Sequence, residues 1–211
     1  MQTLLWIVLG LVALLVVVTF AWRWASRRWA LPCPSILSGA VDGTLADKFA
    51  GTRETLERLE LRPGLTIVEI GPGPGRLLIP AARLVLPGGK AIGVELQPPM
   101  LDKLRRKLAA DDPGNLELIC ADATQPVLPA GAADLVYLCT VLGEIPDRRQ
   151  ALENCFAALR PGGRLVIVEI MGDPHYQTRG KVRALCESVG FVFERLTGNW
   201  RRSTSSFRKP G

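Results

Sequence analysis

From residue 44 to the C-terminus, short apolar runs alternate with stretches of helical periodicity. Seven runs of five to seven residues, the first five rich in Val, Ile and Leu, read as strands: Thr66–Ile70, Ala91–Leu96, Leu116–Cys120, Asp134–Cys139, Arg164–Ile170, Phe191–Arg195 and Ser203–Arg208. Between them, apolar positions recur three and four apart, which predicts helices near 75–86, 98–110, 147–160 and 174–189. An earlier amphipathic helix is expected over 44–60, with Leu45, Phe49, Leu56 and Leu59 on its buried face. Pro98 suits the first turn of the 98–110 helix, whose stripe is Leu101, Leu104 and Leu108. Asp173-Pro174 reads as the cap and first turn of the last helix, and Gly190 as its stop. Strand–helix alternation of this kind predicts a doubly wound, mostly parallel α/β sheet with helices on both faces. The last two strands follow one another with no helix between them. They form a C-terminal hairpin at one sheet edge, so one of the pair must run antiparallel.

The first residues follow a different pattern. Leu4 to Ala21 carries no charge over eighteen residues, and thirteen of these are Leu, Ile, Val or Phe. As a helix it spans roughly 27 Å, about the thickness of a bilayer's hydrocarbon layer. A cleaved signal peptide is the competing reading. No basic residue precedes the run, it exceeds a usual signal core, and no clear small-residue cleavage site ends it. We therefore expect one transmembrane anchor over residues 1–24, a juxtamembrane linker over 25–43 and a folded domain over 44–211. Arg23, Arg27 and Arg28 follow the span, with Trp22, Trp24 and Trp29 beside them, so the domain is expected on the cytoplasmic side. The lipid bilayer, met through residues 4–24, is thus an expected partner.

Composition narrows the classes further. Hydrophobic residues make up 48% and charged residues 22%, enough apolar content to bury a core. The net charge of +6 includes three arginines in the first 31 residues. The remaining excess of +3 is too small to suggest a nucleic-acid partner. Five cysteines without a C-x-x-C pair, and the single His175, give no pattern for a zinc or other metal site.

The densest chemical signal follows the first strand: Val68-Glu69-Ile70-Gly71-Pro72-Gly73-Pro74-Gly75-Arg76. Glycines here let the chain turn sharply and let a ligand approach the backbone. The spacing is G-x-G-x-G, whereas the dinucleotide fingerprint is G-x-G-x-x-G. Glu69 precedes the loop, where it would repel a pyrophosphate and suit a ligand with an ammonium group. Glu95 closes the second strand, where an acid accepts hydrogen bonds from ribose hydroxyls. Asp122, at the end of the third strand, is placed to accept from an adenine amino group.

These motifs (VEIGPGPGR, GVELQPPML, ADAT, DLVYLCTVLGEIPD and LRPGGRLVIVEI) together resemble the class I, Rossmann-like, S-adenosylmethionine-dependent methyltransferases over about residues 52–211. Within that superfamily they are similar to the ubiquinone/menaquinone-biosynthesis branch. The resemblance implies a seven-stranded sheet and S-adenosylmethionine as cofactor. It implies a loop of Glu69, Gly71, Gly73 and Gly75 holding the methionine part, Glu95 with Leu96 at the ribose, and Asp122 with Ala123 at the adenine. Cys139, at the end of the fourth strand, joins this cofactor-binding set.

On the acceptor side, Glu144, His175 and Tyr176 are the candidate catalytic residues, with Asp173 close by in sequence. His175 is a candidate general base of near-neutral pKa. The same residues also read as a helix start with His175 and Tyr176 in its first exposed turn. The expected function is methyl transfer to a small lipophilic or membrane-associated acceptor, quinone-like or lipid. Two alternatives stand beside it: a tethered S-adenosylmethionine-binding module without catalysis, and an NAD(P)-dependent oxidoreductase, which the loop spacing disfavours.

Overall fold

The computed structural model of the protein describes residues 51–211 throughout and, before them, isolated helical positions between Trp6 and Trp24. The expected anchor and linker, together with positions 44–50 of the first amphipathic helix (Leu45 and Phe49 among them), therefore lie largely outside the described residues. Among the described residues no helix is long and apolar enough to cross a membrane.

Seven strands form one sheet. They are β1 (Thr66–Ile70), β2 (Lys90–Glu95), β3 (Leu116–Cys120), β4 (Ala133–Cys139), β5 (Leu159–Ile170), β6 (Val192–Gly198) and β7 (Arg202–Arg208), in the order β3-β2-β1-β4-β5-β7-β6. All neighbours from β3 to β5 pair in parallel, while β7 is antiparallel to both β5 and β6. The helices are α1 (Thr52–Leu59), α2 (Leu78–Leu84), α3 (Pro98–Ala110), α4 (Arg148–Ala158) and α5 (Arg179–Val189).

The period of two along each strand builds two cores. Val68, Ile70, Val136, Leu138, Leu165 and Ile167 face Leu152 and Cys155 of α4 and Val182 and Cys186 of α5. The alternate residues Ile67, Leu135, Tyr137, Val166 and Val168 face Leu59 of α1, Leu78, Ala81 and Ala82 of α2 and Leu104 of α3. Both faces of the central strands are thus covered, which explains their nearly unbroken apolar character.

The structure corrects the expected elements in two places. The last helix begins at Arg179, capped by the Thr178 hydroxyl accepting from Lys181 N at 3.4 Å, and not at Pro174. Asp173 instead accepts from His175 N at 2.7 Å and closes a tight turn after β5. β5 also begins earlier than expected, at Leu159, where the 147–160 helix was expected to end. The hairpin lies at one sheet edge, as expected. Its second strand inserts between β5 and β6, so Ser203, Thr204, Ser205 and Ser206 are all buried. Gly190 ends α5 in the left-handed conformation, as the sequence suggests.

Phe207 anchors this inserted strand, fully buried and packed edge-on against Phe193 with ring centroids 5.6 Å apart. Phe207→Ala is expected to cost about 3–5 kcal/mol, measured by urea unfolding. A loss below about 1 kcal/mol would show that β7 is not part of the cooperative core.

Candidate functional site

At the carboxyl ends of β1 to β4 the chain leaves the sheet in four loops, and a cavity of about 390 Å³ opens between them. Such a crevice is where open α/β sheets bind ligands. The glycine loop after β1 supplies one wall. Gly71, Gly73 and Gly75 all have positive φ (69°, 54° and 84°), but their surroundings differ. A Cβ on Gly71 would stand 2.6 Å from Val141 Cγ2, and one on Gly75 would collide with Leu104 of α3. At Gly73 a Cβ would meet nothing within 4 Å; it would project into open space at the cavity wall.

Glu95 ties this loop to the neighbouring strand. It closes β2, is 5% exposed, and accepts from Gly73 N at 3.0 Å and Gln97 N at 2.9 Å. Strand pairing sets Glu69 of β1 beside Tyr137 of β4, and the Tyr137 hydroxyl donates to Glu69 Oε2 at 2.9 Å. Burial pushes the Glu69 carboxyl up to about 8, against the opposing effects of Tyr137 and the Arg76 guanidinium; the nearby Glu95 carboxyl pushes the same way as burial. The Tyr137 phenol is raised well above its ordinary value for the same reason, with Glu69 adding to it. The Cys139 thiol, likewise buried, is pushed up to about 11 and is no nucleophile at neutral pH.

Arg76 also lines the cavity. Its guanidinium donates to Thr52 Oγ1 of α1 at 2.7 Å and lies 3.7 Å from Cys139 Sγ. Beyond β4, Thr140 adopts a left-handed φ of 57° and turns the chain into a single 3-10 turn, Leu142–Glu144. Arg148 holds that turn in place, donating to Leu142 O at 3.0 Å and Gly143 O at 2.8 Å. Glu144 thereby reaches the cavity wall.

The residues expected for the cofactor mostly converge. Glu69, Gly71, Gly73, Glu95, Leu96, Asp122, Ala123 and Cys139 all line this cavity, with Asp122 at its exposed side. Gly75 does not, because its role is the close approach of the loop to α3. Of the candidate catalytic residues only Glu144 is in the lining. His175 is buried behind the 3-10 turn, its carbonyl packed against Gly143, and Tyr176 also stands outside the lining. The loop carrying both follows Glu169, a second buried acid that accepts from Gln177 N at 3.0 Å and that burial raises to about 8.

Two lining or supporting residues were not singled out from sequence. Arg76 ends a motif that was read for its glycines, and Tyr137 lies within an otherwise apolar strand. A polar residue two positions before a strand's carboxyl end was the available signal.

Comparisons with known proteins agree with this architecture. Residues 67–163 match the methyltransferase domain family. The chain is 31% identical over 130 residues to a nocamycin O-methyltransferase from Saccharothrix syringae, covering 61% of this chain and 46% of that protein. It is 30% identical over 162 residues to a ubiquinone/menaquinone biosynthesis C-methyltransferase from Cronobacter sakazakii, covering 74% and 64% respectively. The chain spans about half the length of the curated relatives it matches. Among solved structures, a SAM-dependent methyltransferase from Aquifex aeolicus superimposes with a TM-score of 0.78 at 16% identity, over 84% of this chain and all of that one. The matched segment is thus similar to methyltransferase domains, and the fold around it is the one seen in that Aquifex aeolicus structure.

A carboxyl held at about 8 in the folded state, but near its ordinary value when unfolded, binds an extra proton on folding. Its contribution is fully present at acid pH, is lost as pH rises from about 5 to 8, and levels off above. Glu69→Gln is therefore expected to flatten the decline of unfolding free energy over that window, leaving the similar slope of Glu169. A steeper decline in the variant would contradict the burial argument.

Proposed function

We propose that this protein is a membrane-anchored methyltransferase that moves a methyl group from S-adenosylmethionine to a small lipophilic acceptor, quinone-like or lipid, at the cytoplasmic membrane surface. One observation carries the cofactor reading: the loops of four strands share one cavity whose glycine wall is open at Gly73 and whose buried carboxyls are Glu69 and Glu95. Glu69 suits the ammonium of the methionine part, and a cation there would draw the proton from its raised carboxyl. Arg76, in the same lining, suits the methionine carboxylate. Glu95 retains acceptor capacity for ribose hydroxyls, and Asp122 with Ala123 borders the adenine end. When bound, the cofactor supplies an electrophilic methyl on a sulfonium.

The protein's own part is positioning, water exclusion and handling of any proton the acceptor releases. Glu144, on its pinned turn, is the lining carboxyl best placed for that proton. The buried setting of His175 argues against it as the base. The relatives named for ubiquinone/menaquinone biosynthesis support a quinone-like acceptor, and the uncharged residues 4–21 with the following arginines support the anchor and its orientation.

Gly73→Val is expected to weaken S-adenosylhomocysteine binding on the order of 100-fold in calorimetry, because the side chain fills ligand space and strains a positive φ. Unchanged affinity would refute the pocket assignment. Labelled-methyl transfer into a membrane lipid extract tests catalysis: cofactor binding with no transfer to any component would leave a binding module instead. Carbonate washing of membranes should leave the full chain in the pellet, and its release as intact soluble protein would remove the anchor.

A further inference from the structure

We infer that the β6–β7 hairpin tip is a second membrane contact, which presses the cofactor rim of the domain onto an anionic lipid surface. This inference rests on the reading of a membrane-anchored transferase. The tip, Asn199-Trp200-Arg201, lies at the same sheet rim as the cavity, because Ile170 at the carboxyl end of β5 pairs with Arg202 at the start of β7. Trp200 is 64% exposed, and the neighbouring Met171 is 47% exposed.

The tip is rigid. Asn199 N donates to Arg202 O at 2.9 Å, the Asn199 side chain accepts from Arg201 N and Arg202 N at 2.9 and 3.0 Å, and Met171 N donates to Arg201 O at 2.7 Å. The turn thus holds an indole and, on the strand end bonded to it, a thioether out in water. The charge around it selects the partner. Arg201 lies over the Trp200 ring, 5.3 Å from the centroid, Arg179 reaches the tip by donating to Asn199 O at 2.5 Å, and Lys181 is exposed on the first turn of α5. The acid of the adjoining loop, Asp173, is turned inward to His175 N. An indole flanked by basic groups matches the interfacial zone of a bilayer with anionic headgroups.

Chain path agrees with this orientation. The polypeptide enters the described domain at Gly51, whose backbone lies against the Arg202 guanidinium, and the next residue, Thr52, accepts from Arg76 at the cavity. The segment leading from the apolar N-terminus therefore joins the domain on the same rim as the tip. A lipophilic acceptor leaving the bilayer would meet the cavity without crossing open water.

The test uses the full chain with Trp6, Trp22, Trp24 and Trp29 replaced by Phe, so that Trp200 alone reports, reconstituted into vesicles containing brominated acyl chains. With phosphatidylglycerol present, Trp200 emission is expected to shift to the blue and be quenched. Arg201→Glu is expected to weaken that contact by on the order of tenfold. Emission that stays that of an indole in water, or quenching that is equal in purely phosphatidylcholine vesicles, overturns the proposal. Calorimetry with S-adenosylhomocysteine on the same protein separates the two readings: lost cofactor binding with quenching intact refutes the transferase and leaves the lipid contact standing.

Discussion

Both oxygens of the Glu95 carboxyl accept backbone N–H groups, one from the glycine loop at Gly73 and one from the start of α3 at Gln97. The loop has three residues at positive φ and few side chains with which to hold itself. Without an external acceptor, the Gly73 N–H would lose its partner and the loop would have many accessible shapes. A single carboxyl at the tip of β2 therefore sets the distance between two walls of the cavity. The remaining lining groups are useful because that distance is held.

Buried acids mark the sheet's carboxyl rim on both faces. Glu69 shares its face with α1–α3 and is satisfied by Tyr137. Glu169, by the alternation along β5, falls on the α4–α5 face and holds the segment before α5 through Gln177. Each is raised to about 8, mainly by burial. Their settings differ: Glu69 lines the cavity, whereas Glu169 accepts from Gln177 at the end of the loop that carries His175 and Tyr176.

The rim that holds the cavity also receives the chain at Gly51 and carries the Trp200 tip. The entry point, the exposed Trp200 and the cavity thus share one end of the sheet. The opposite end is richly ion-paired, with Arg164 and Arg195 on Glu60 and Arg160 on Asp134.

Strand and helix order, the doubly wound sheet, the antiparallel partner at its end and the glycine–acid signature of the rim were all legible in the sequence. They depend on local periodicity and on residues whose backbone demands act over a few positions. The location of β7 between β5 and β6 was not legible, because Ser203–Ser206 reads as a solvent-facing strand until its neighbours bury it. Nor were the Glu69–Tyr137 pair, the span of Arg76 from α1 to Cys139, and the seclusion of His175. Each joins residues tens of positions apart, through strand register or loop packing that no local pattern encodes. Sequence alone determined which chemical groups stand at the strand tips; only the tertiary structure decided which of them face the same space.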